Sequence, residues 1–283
     1  MILSSSLVLV GPGRAGRAFA RSWIGAGGRL ERIVGRDLAS AEKAALRIGQ
    51  GEASTVETVS GPCDLLLLCV PDDVIGPVAR ELSVRMTPRA AFHVSGALPA
   101  EILAPLRASG AAVGSIHPLL PFTGSPEETW AGAFVAIEGD APALEIADQI
   151  VRSIGARGHR LRAGEKPLYH AAATLAAGGT AAVLSLAVRA WRGAGLPEEE
   201  GRRSLAHLAA RAATAIGERP FEEAFTGPLA RRDTGTVEAH VRSLRELPEV
   251  LSVYTALAEE TLRRTPSRGR EQEVRAALQR GRS

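Results

Sequence analysis

The chain has 283 residues, 45% of them hydrophobic and only 4% aromatic, so it is long enough for two domains and must build its cores from Leu, Val, Ile and Ala. Its 34 basic and 31 acidic residues leave a net charge of +3, with no interleaving of aromatic and basic residues, which argues against a nucleic-acid surface. No apolar run is expected to reach the ~20 residues of a membrane span. The first residues read as a strand and not as a leader, and Cys63 and Cys69 fit no metal or redox spacing, so a reducing, cytoplasmic setting is expected.

Short apolar runs alternate with helical patterns over the first half, the signature of a parallel α/β sheet. Strands are expected at residues 7–10 and 32–34, with helices over 14–25 and 38–48. The continuous apolar run at 65–70 reads as a central strand buried on both faces, followed by a helix that starts at Pro71-Asp72-Asp73. Further strands are expected at 91–94, 113–116, 133–137 and 156–161, with helices over 100–107 and 141–154. From about residue 167 the period is helical. The apolar stretch 168–191 reads as a buried helix of a bundle or subunit interface, and the charged residues from Arg264 onward read as a frayed helix or tail. The expected organisation is an α/β Rossmann domain over residues 1–163 and an all-α domain over 164–283. The second domain is expected to serve substrate binding and homodimerisation through its helices.

Between the first strand and the first helix stands Gly11-Pro12-Gly13-Arg14-Ala15-Gly16. In that context the glycines have separate jobs. Gly11 makes the tight turn, Gly13 lets a pyrophosphate approach the backbone, and Gly16 lets helix and strand pack closely. The free N–H groups and the dipole of the helix start favour the phosphates. Arg14 is a candidate to stack on adenine or to join a 2′-phosphate site. At the end of the second strand an NAD-preferring domain usually carries an acid for the ribose 2′-hydroxyl. Here Arg36 holds that place, and a guanidinium suits a 2′-phosphate. NADP(H) is therefore favoured over NAD(H), with Asp37 as the competing acid. Val70-Pro71-Asp72 follows a central strand at the carboxyl edge, where Asp72 reads equally as a ribose neighbour or as a helix N-cap.

Three polar clusters would converge on the nicotinamide end: His93 to Ala97 around Ser95, His117 to Phe122, and Lys166 to His170. Lys166 and His170 are four residues apart and share a helix face. A carbonyl or imine reductase needs a proton donor and a group that polarises the reacting bond. Lys166 or His170 would give the proton, and Ser95 and His117 would orient the substrate. Of the 34 basic residues only Lys43 and Lys166 are lysine, so a lysine that persists hints at proton chemistry. A further polar segment, residues 225–233, offers Arg231 or Arg232 as a clamp for a substrate carboxylate, or simply connects helices.

Taken in order, the glycine loop, Val70-Pro71-Asp72, His93 to Ala97, Gly114 to Leu119, Lys166 with Tyr169 to Ala172, and Thr226-Gly227-Pro228 with Arg231 and Asp233 resemble a known family. It comprises bacterial Rossmann-like proteins with a C-terminal domain of unknown function 2520. The resemblance implies a Rossmann domain followed by a helical, dimerising domain. It also implies kinship with 6-phosphogluconate dehydrogenase-like, ketopantoate reductase and pyrroline-carboxylate reductase folds. Such sequences usually carry an asparagine after the Tyr-His pair. This chain has Gly178 there and no asparagine at all, so an asparagine-assisted mechanism is excluded. The expected function is an NADP(H)-dependent oxidoreductase acting on a small carbonyl or imine compound, without nucleic-acid or membrane partners. The alternatives are an NADP(H)-binding sensor or assembly protein without hydride transfer, and a variant that uses a reduced deazaflavin.

Overall fold

The computed structural model describes residues 2–266 and 269–280, in two compact units, Met1–Ala173 and Thr174–Ser283. Among the described residues the first unit holds one eight-stranded sheet. Its strands in chain order are β1 (Ser6–Val10), β2 (Arg29–Gly35), β3 (Glu52–Thr55), β4 (Gly61–Leu68), β5 (Met86–His93), β6 (Ala112–Pro118), β7 (Phe134–Gly139) and β8 (Arg157–Arg160). Across the sheet the order is β3-β2-β1-β4-β5-β6-β7-β8, with every pair parallel except β6 and β7. The order reverses at β1, the switch point at which open α/β sheets leave a crevice for ligands.

Strand periodicity splits the core in two. Leu7, Leu9, Leu65 and Leu67 point to one face, where they meet Phe19 and Trp23 of α1 (Arg14–Gly25) and Ala147 and Ile150 of α5 (Ala141–Ser153). Val8, Val10, Leu66 and Leu68 point to the other, against Ile75, Ala79 and Leu82 of α3 (Asp72–Ser83) and Leu106 of α4 (Ala104–Ala108). A strand that is apolar on both faces belongs inside such a sheet, as expected for residues 65–70. α2 (Leu38–Ile48) starts where the Asp37 carboxylate caps the N–H of Ser40 at 2.7 Å and ends at Gly49 in the left-handed region.

A helix runs without a break from Lys166 to Gly193, as α6 (Lys166–Thr174), a π turn at Leu175–Gly179 and α7 (Thr180–Gly193). Its apolar stretch was expected to be buried. Instead Leu168 is 80% and Leu175 74% exposed, left uncovered by the described residues. Its 28 residues are also long and apolar enough to cross a membrane. This corrects the expectation that no apolar run reaches such a length; Gly, Thr and Ser, which interrupt the apolar residues here, carry little polarity on a helix.

In the second unit α8 (Glu198–Glu218), α9 (Phe221–Ala224), α10 (Gly227–Arg231), α11 (Thr234–Ser243) and α12 (Pro248–Arg264) follow. Within the described part of the expected tail, Glu271–Gln279 forms α13, which buries Val274, Ala277 and Leu278 beside Val237 and Leu262. Its i, i+3, i+4 apolar stripe is short and framed by charge, which is why the segment reads as solvated.

Candidate functional site

The glycine loop lies at the carboxyl end of β1. Gly11 has φ +84°, and a Cβ there would stand 2.6 Å from the Cys69 carbonyl oxygen, so only glycine fits. At Gly16 a Cβ would fall 2.5 Å from the Gly11 carbonyl. Gly13 differs: a Cβ there would meet no protein atom within 4 Å. The protein itself does not require that glycine, whereas a ligand pressed to the backbone would. Gly11, Pro12 and Gly13 open into a cleft of about 750 Å³ that Val70, Pro71 and Arg36 also line. Arg36 is 95% exposed and approaches Asp37 only at 3.8 Å. The other Asp37 oxygen caps α2, and Asp37 is not among the lining residues, so the cation of this pair faces the cleft. Arg14 is not among the residues that line this cleft. Its guanidinium reaches the Phe122 carbonyl at 3.4 Å, which leaves its main chain to the loop beside Ala15.

Further along the same sheet edge, α6 docks on β6 through two matched bonds. Ser115 and His117 share a face of the strand, and Lys166 and Tyr169 share a face of the helix. The Lys166 ammonium donates to Ser115 Oγ at 2.6 Å, and the Tyr169 hydroxyl meets His117 Nδ1 at 2.9 Å. Glu138 stands opposite Ser115 in the antiparallel β6–β7 pairing and approaches Lys166 Nζ to 3.4 Å. Lys166 is only 3% exposed. Burial draws its pKa down to about 8, against the pull of Glu138 and Asp72 in the other direction. Burial, with repulsion from His170 and Lys166, draws His117 down to about 4, and burial lifts the Tyr169 phenol to about 12. At neutral pH this leaves a lysine poised to lose a proton, a neutral imidazole and a protonated phenol. His170 closes the cluster, its ring centroid 5.6 Å from that of His117, with a buried Nδ1 that has no partner among the described residues. Both imidazoles crowd Gly96, where a Cβ would lie 2.3 Å from His170 Nδ1 and 2.7 Å from His117 Nε2.

Ser95 and His93 build the turn beneath this cluster. Ser95 Oγ accepts from the N–H groups of Ala97 and Leu98, and His93 Nδ1 accepts from the N–H of Ser95. His93 Nε2 then donates to the Pro99 carbonyl at 3.2 Å, and burial holds the ring neutral, its pKa near 3. Ser95 thus already uses its oxygen on the loop and offers a ligand only its proton. Asp72 is the first residue of α3, with Pro71 at the cap position and no side-chain cap bond, so the N-cap role proposed from its place in the sequence is not taken up. It is exposed, and its charge is felt at both Lys166 and His117. In the second unit, Arg232 is 1% exposed and fully engaged, bonding Glu271, Thr265 and the carbonyls at the end of α12. It locks α10 to α12 and is no substrate clamp. Arg231 remains exposed.

Sequence reasoning missed Ser115 and Glu138 as partners of Lys166, because their meeting depends on an antiparallel register that no local pattern announces. It also passed over the cleft-lining Arg17, Lys43 and Arg47. For Lys43 a signal was present, its survival as one of two lysines.

Residues 3–118 match the Rossmann-like domain, and residues 133–261 match a domain of unknown function, DUF2520. The Lys166–Ser115 bond therefore joins the two matched regions inside one compact unit. No curated protein matches the chain. Among solved structures it is similar to BF3122 of Bacteroides fragilis, a provisionally named NADP oxidoreductase, at 18% identity and TM-score 0.73, over 93% of this chain and 100% of that one. It is similar to protein TM1727 of Thermotoga maritima at 24% identity and TM-score 0.72, over 98% and 100%. A reductive aminase of Aspergillus terreus, solved with NADPH and ethyl-5-oxohexanoate, aligns at 19% identity and TM-score 0.63, over 97% and 98%. At these identities the likeness is one of fold. The chain thus carries a Rossmann-like domain followed by a DUF2520 domain, the pair its motifs foreshadow.

Proposed function

We propose that this protein binds NADP(H) along the carboxyl edge of its sheet and reduces a small carbonyl or imine compound. The observation that carries the reading is Lys166, a buried ammonium with its pKa drawn down to about 8, on the same sheet edge as the glycine-loop cleft. The fold-level kinship with proteins named for NADP(H) chemistry, one of them bound to NADPH and a keto ester, is in keeping with it. In this reading the cofactor supplies hydride when bound. The chain's own residues polarise the accepting bond and deliver a proton to the oxygen or nitrogen left behind. Lys166 holds that proton, Ser115 and Glu138 aim its ammonium, and His117 and His170 face the substrate. Ser95 keeps their turn in shape.

The test is oxidation of NADPH by the full-length protein across keto acids, aldehydes and cyclic imines. Turnover that disappears in Lys166→Ala while NADPH still binds supports the assignment. Unchanged turnover defeats it. One observation favours a second reading, a sensor or assembly protein that binds NADP(H) without turnover: the Lys166 ammonium is already held by Ser115 and Glu138, as a docking group would be. Silence across the panel in the presence of tight NADPH binding favours that role.

The exposed apolar side chains of the Lys166–Gly193 helix are covered, in this reading, by a second copy of the chain and not by lipid. A dimer in sedimentation that falls to monomer in Leu168→Arg with Leu175→Arg supports this; recovery of the protein in the membrane fraction defeats it. Both cysteines are free thiols, in keeping with a reducing, cytoplasmic setting.

A further inference from the structure

A neutral imidazole carries one ring proton, and its neighbours decide which nitrogen holds it. Burial, with repulsion from His170 and Lys166, keeps His117 neutral, and burial keeps the Tyr169 phenol protonated. Among the described residues the Tyr169 hydroxyl has one hydrogen-bond partner, His117 Nδ1 at 2.9 Å. A proton on Nδ1 would have to go to the phenol oxygen, and the phenol hydrogen would be left to solvent. With Nδ1 bare, the phenol donates to it and both groups are satisfied. The ring proton of His117 is therefore assigned to Nε2.

Nε2 has no hydrogen-bond partner among the described residues. It faces Gly96, where a Cβ would stand 2.7 Å from it and 2.3 Å from the unpartnered Nδ1 of His170. Both imidazoles thus converge on backbone that carries no side chain. Two residues before His117, on the same face of β6, Ser115 holds the Lys166 ammonium at 2.6 Å. The Lys166 charge is felt at His117. A neutral N–H donor and a cationic one therefore stand near each other along one strand face. The carboxylates around them are placed otherwise: Glu138 approaches Lys166 Nζ at 3.4 Å, and Asp72 lies exposed at the start of α3.

Two donors suit an atom that gathers negative charge. A carbonyl oxygen has two lone pairs to accept them and becomes an alkoxide as hydride reaches its carbon. An imine takes hydride as its protonated iminium, whose nitrogen has no lone pair and a positive charge. That nitrogen would find no acceptor in His117 Nε2–H and would be repelled by the ammonium.

We propose that Tyr169 is a positioning residue that fixes His117 as an Nε2–H donor, and that this donor, with the Lys166 ammonium, selects a ketone or aldehyde over an imine as the substrate. The inference rests on the reductase reading above and adds the substrate class and the role of Tyr169. In the step, the carbonyl carbon gains a hydride, supplied by the reduced dinucleotide, and the C=O π pair moves to oxygen. That oxygen takes a proton from Lys166 Nζ, which leaves an alcohol, a neutral lysine and the oxidised dinucleotide. His117 lends a hydrogen bond and keeps its proton.

The first test needs neither cofactor nor substrate. In the full chain with 15N-labelled histidine rings, NMR at neutral pH is expected to show His117 protonated at Nε2 and bare at Nδ1, its signals identified by their loss in His117→Gln. Tyr169→Phe keeps the ring that lies against Phe134 at 6.4 Å and should release a mixture of the two tautomers. A proton on Nδ1 in the unaltered chain, or a pattern that Tyr169→Phe leaves unmoved, overturns the proposal. The second test sets ketones and aldehydes against cyclic imines of matched skeleton, with NADPH. The carbonyl compounds are expected to lead by at least roughly tenfold in kcat/KM. On them His117→Ala should lower kcat by roughly 10²-fold and Tyr169→Phe by roughly three- to tenfold, with NADPH affinity unchanged. His117→Gln, whose amide N–H can stand near Nε2, should recover part of the loss. A preference for imines, or a Tyr169→Phe effect confined to KM, overturns the proposal and leaves the reductase reading in place. Absence of turnover in both classes overturns both.

Discussion

The two lysines of this chain occupy opposite environments. Lys43 is exposed, unpaired among the described residues and one of several cations along an open cleft. Lys166 is buried, held between a hydroxyl and a carboxylate, and its pKa is drawn down to about 8. The contrast separates two uses of the same ammonium. In water the charge is permanent and serves attraction. Out of water the charge is costly, so the proton becomes transferable near neutral pH. In an arginine-rich chain only the second use strictly demands lysine, since a guanidinium keeps its proton.

Substitution can break this comparison, and the largest effect is expected at Lys166. On a substrate that turns over, Lys166→Ala should lower kcat by roughly 10²–10⁴-fold, the range for a lost general acid, with NADPH affinity nearly unchanged. An equal loss of affinity would move Lys166 from chemistry to binding. Next come the two open-loop glycines. Gly11→Ala meets backbone at 2.6 Å and a positive φ, so it should cost at least about 1–2 kcal/mol of stability, read in a melting experiment. Gly13→Ala meets nothing in the protein, so the melting temperature should hold while NADPH affinity falls by roughly tenfold or more. A ligand-free role for Gly13 would leave affinity intact.

Glu138→Gln sharpens the lysine comparison with a smaller effect. Reduction needs the protonated ammonium, so activity should fall as pH rises through about 8. Glu138 raises that pKa, and its removal should move the alkaline limb to lower pH; an unmoved limb would mean that Lys166 does not set it. The smallest effect concerns stability. His93 and His117 are harder to protonate in the folded chain than in the unfolded one, with pKa values near 3 and 4. The unfolded state therefore takes up more protons below about pH 6.5, and stability should decline from there toward pH 4 and 3. His93→Gln, which keeps a polar amide in that turn, should flatten part of the decline in acid titrations followed by urea unfolding.

Much of the first unit was legible because its signals are local. The bounds of α1 and α2 follow from the glycine loop, the Asp37 cap and their apolar stripes, and the run at 65–70 announced a central strand. The edge strand β3 was not read, since one exposed and three half-buried residues show neither alternation nor an apolar run. The candidate site was legible at Lys166, His117 and His170, whose chemistry shows in their type. It was not legible at Ser115 and Glu138, which acquire meaning only when β7 runs back along β6. The apolar helix misled in a different way. Hydrophobicity says that a surface wants covering and not that the same chain covers it.

Gly96 carries a consequence for descent. Its missing side chain is what allows the imidazoles of His117 and His170 to come within 2.3–2.7 Å of where a Cβ would stand. His117 is further pinned by Tyr169, so it cannot simply swing aside. A lineage that places any side chain at position 96 must give up or move one of those histidines in the same step. The three positions, spread over 75 residues of sequence, are thus sterically coupled: a change at the first requires a change at one of the other two.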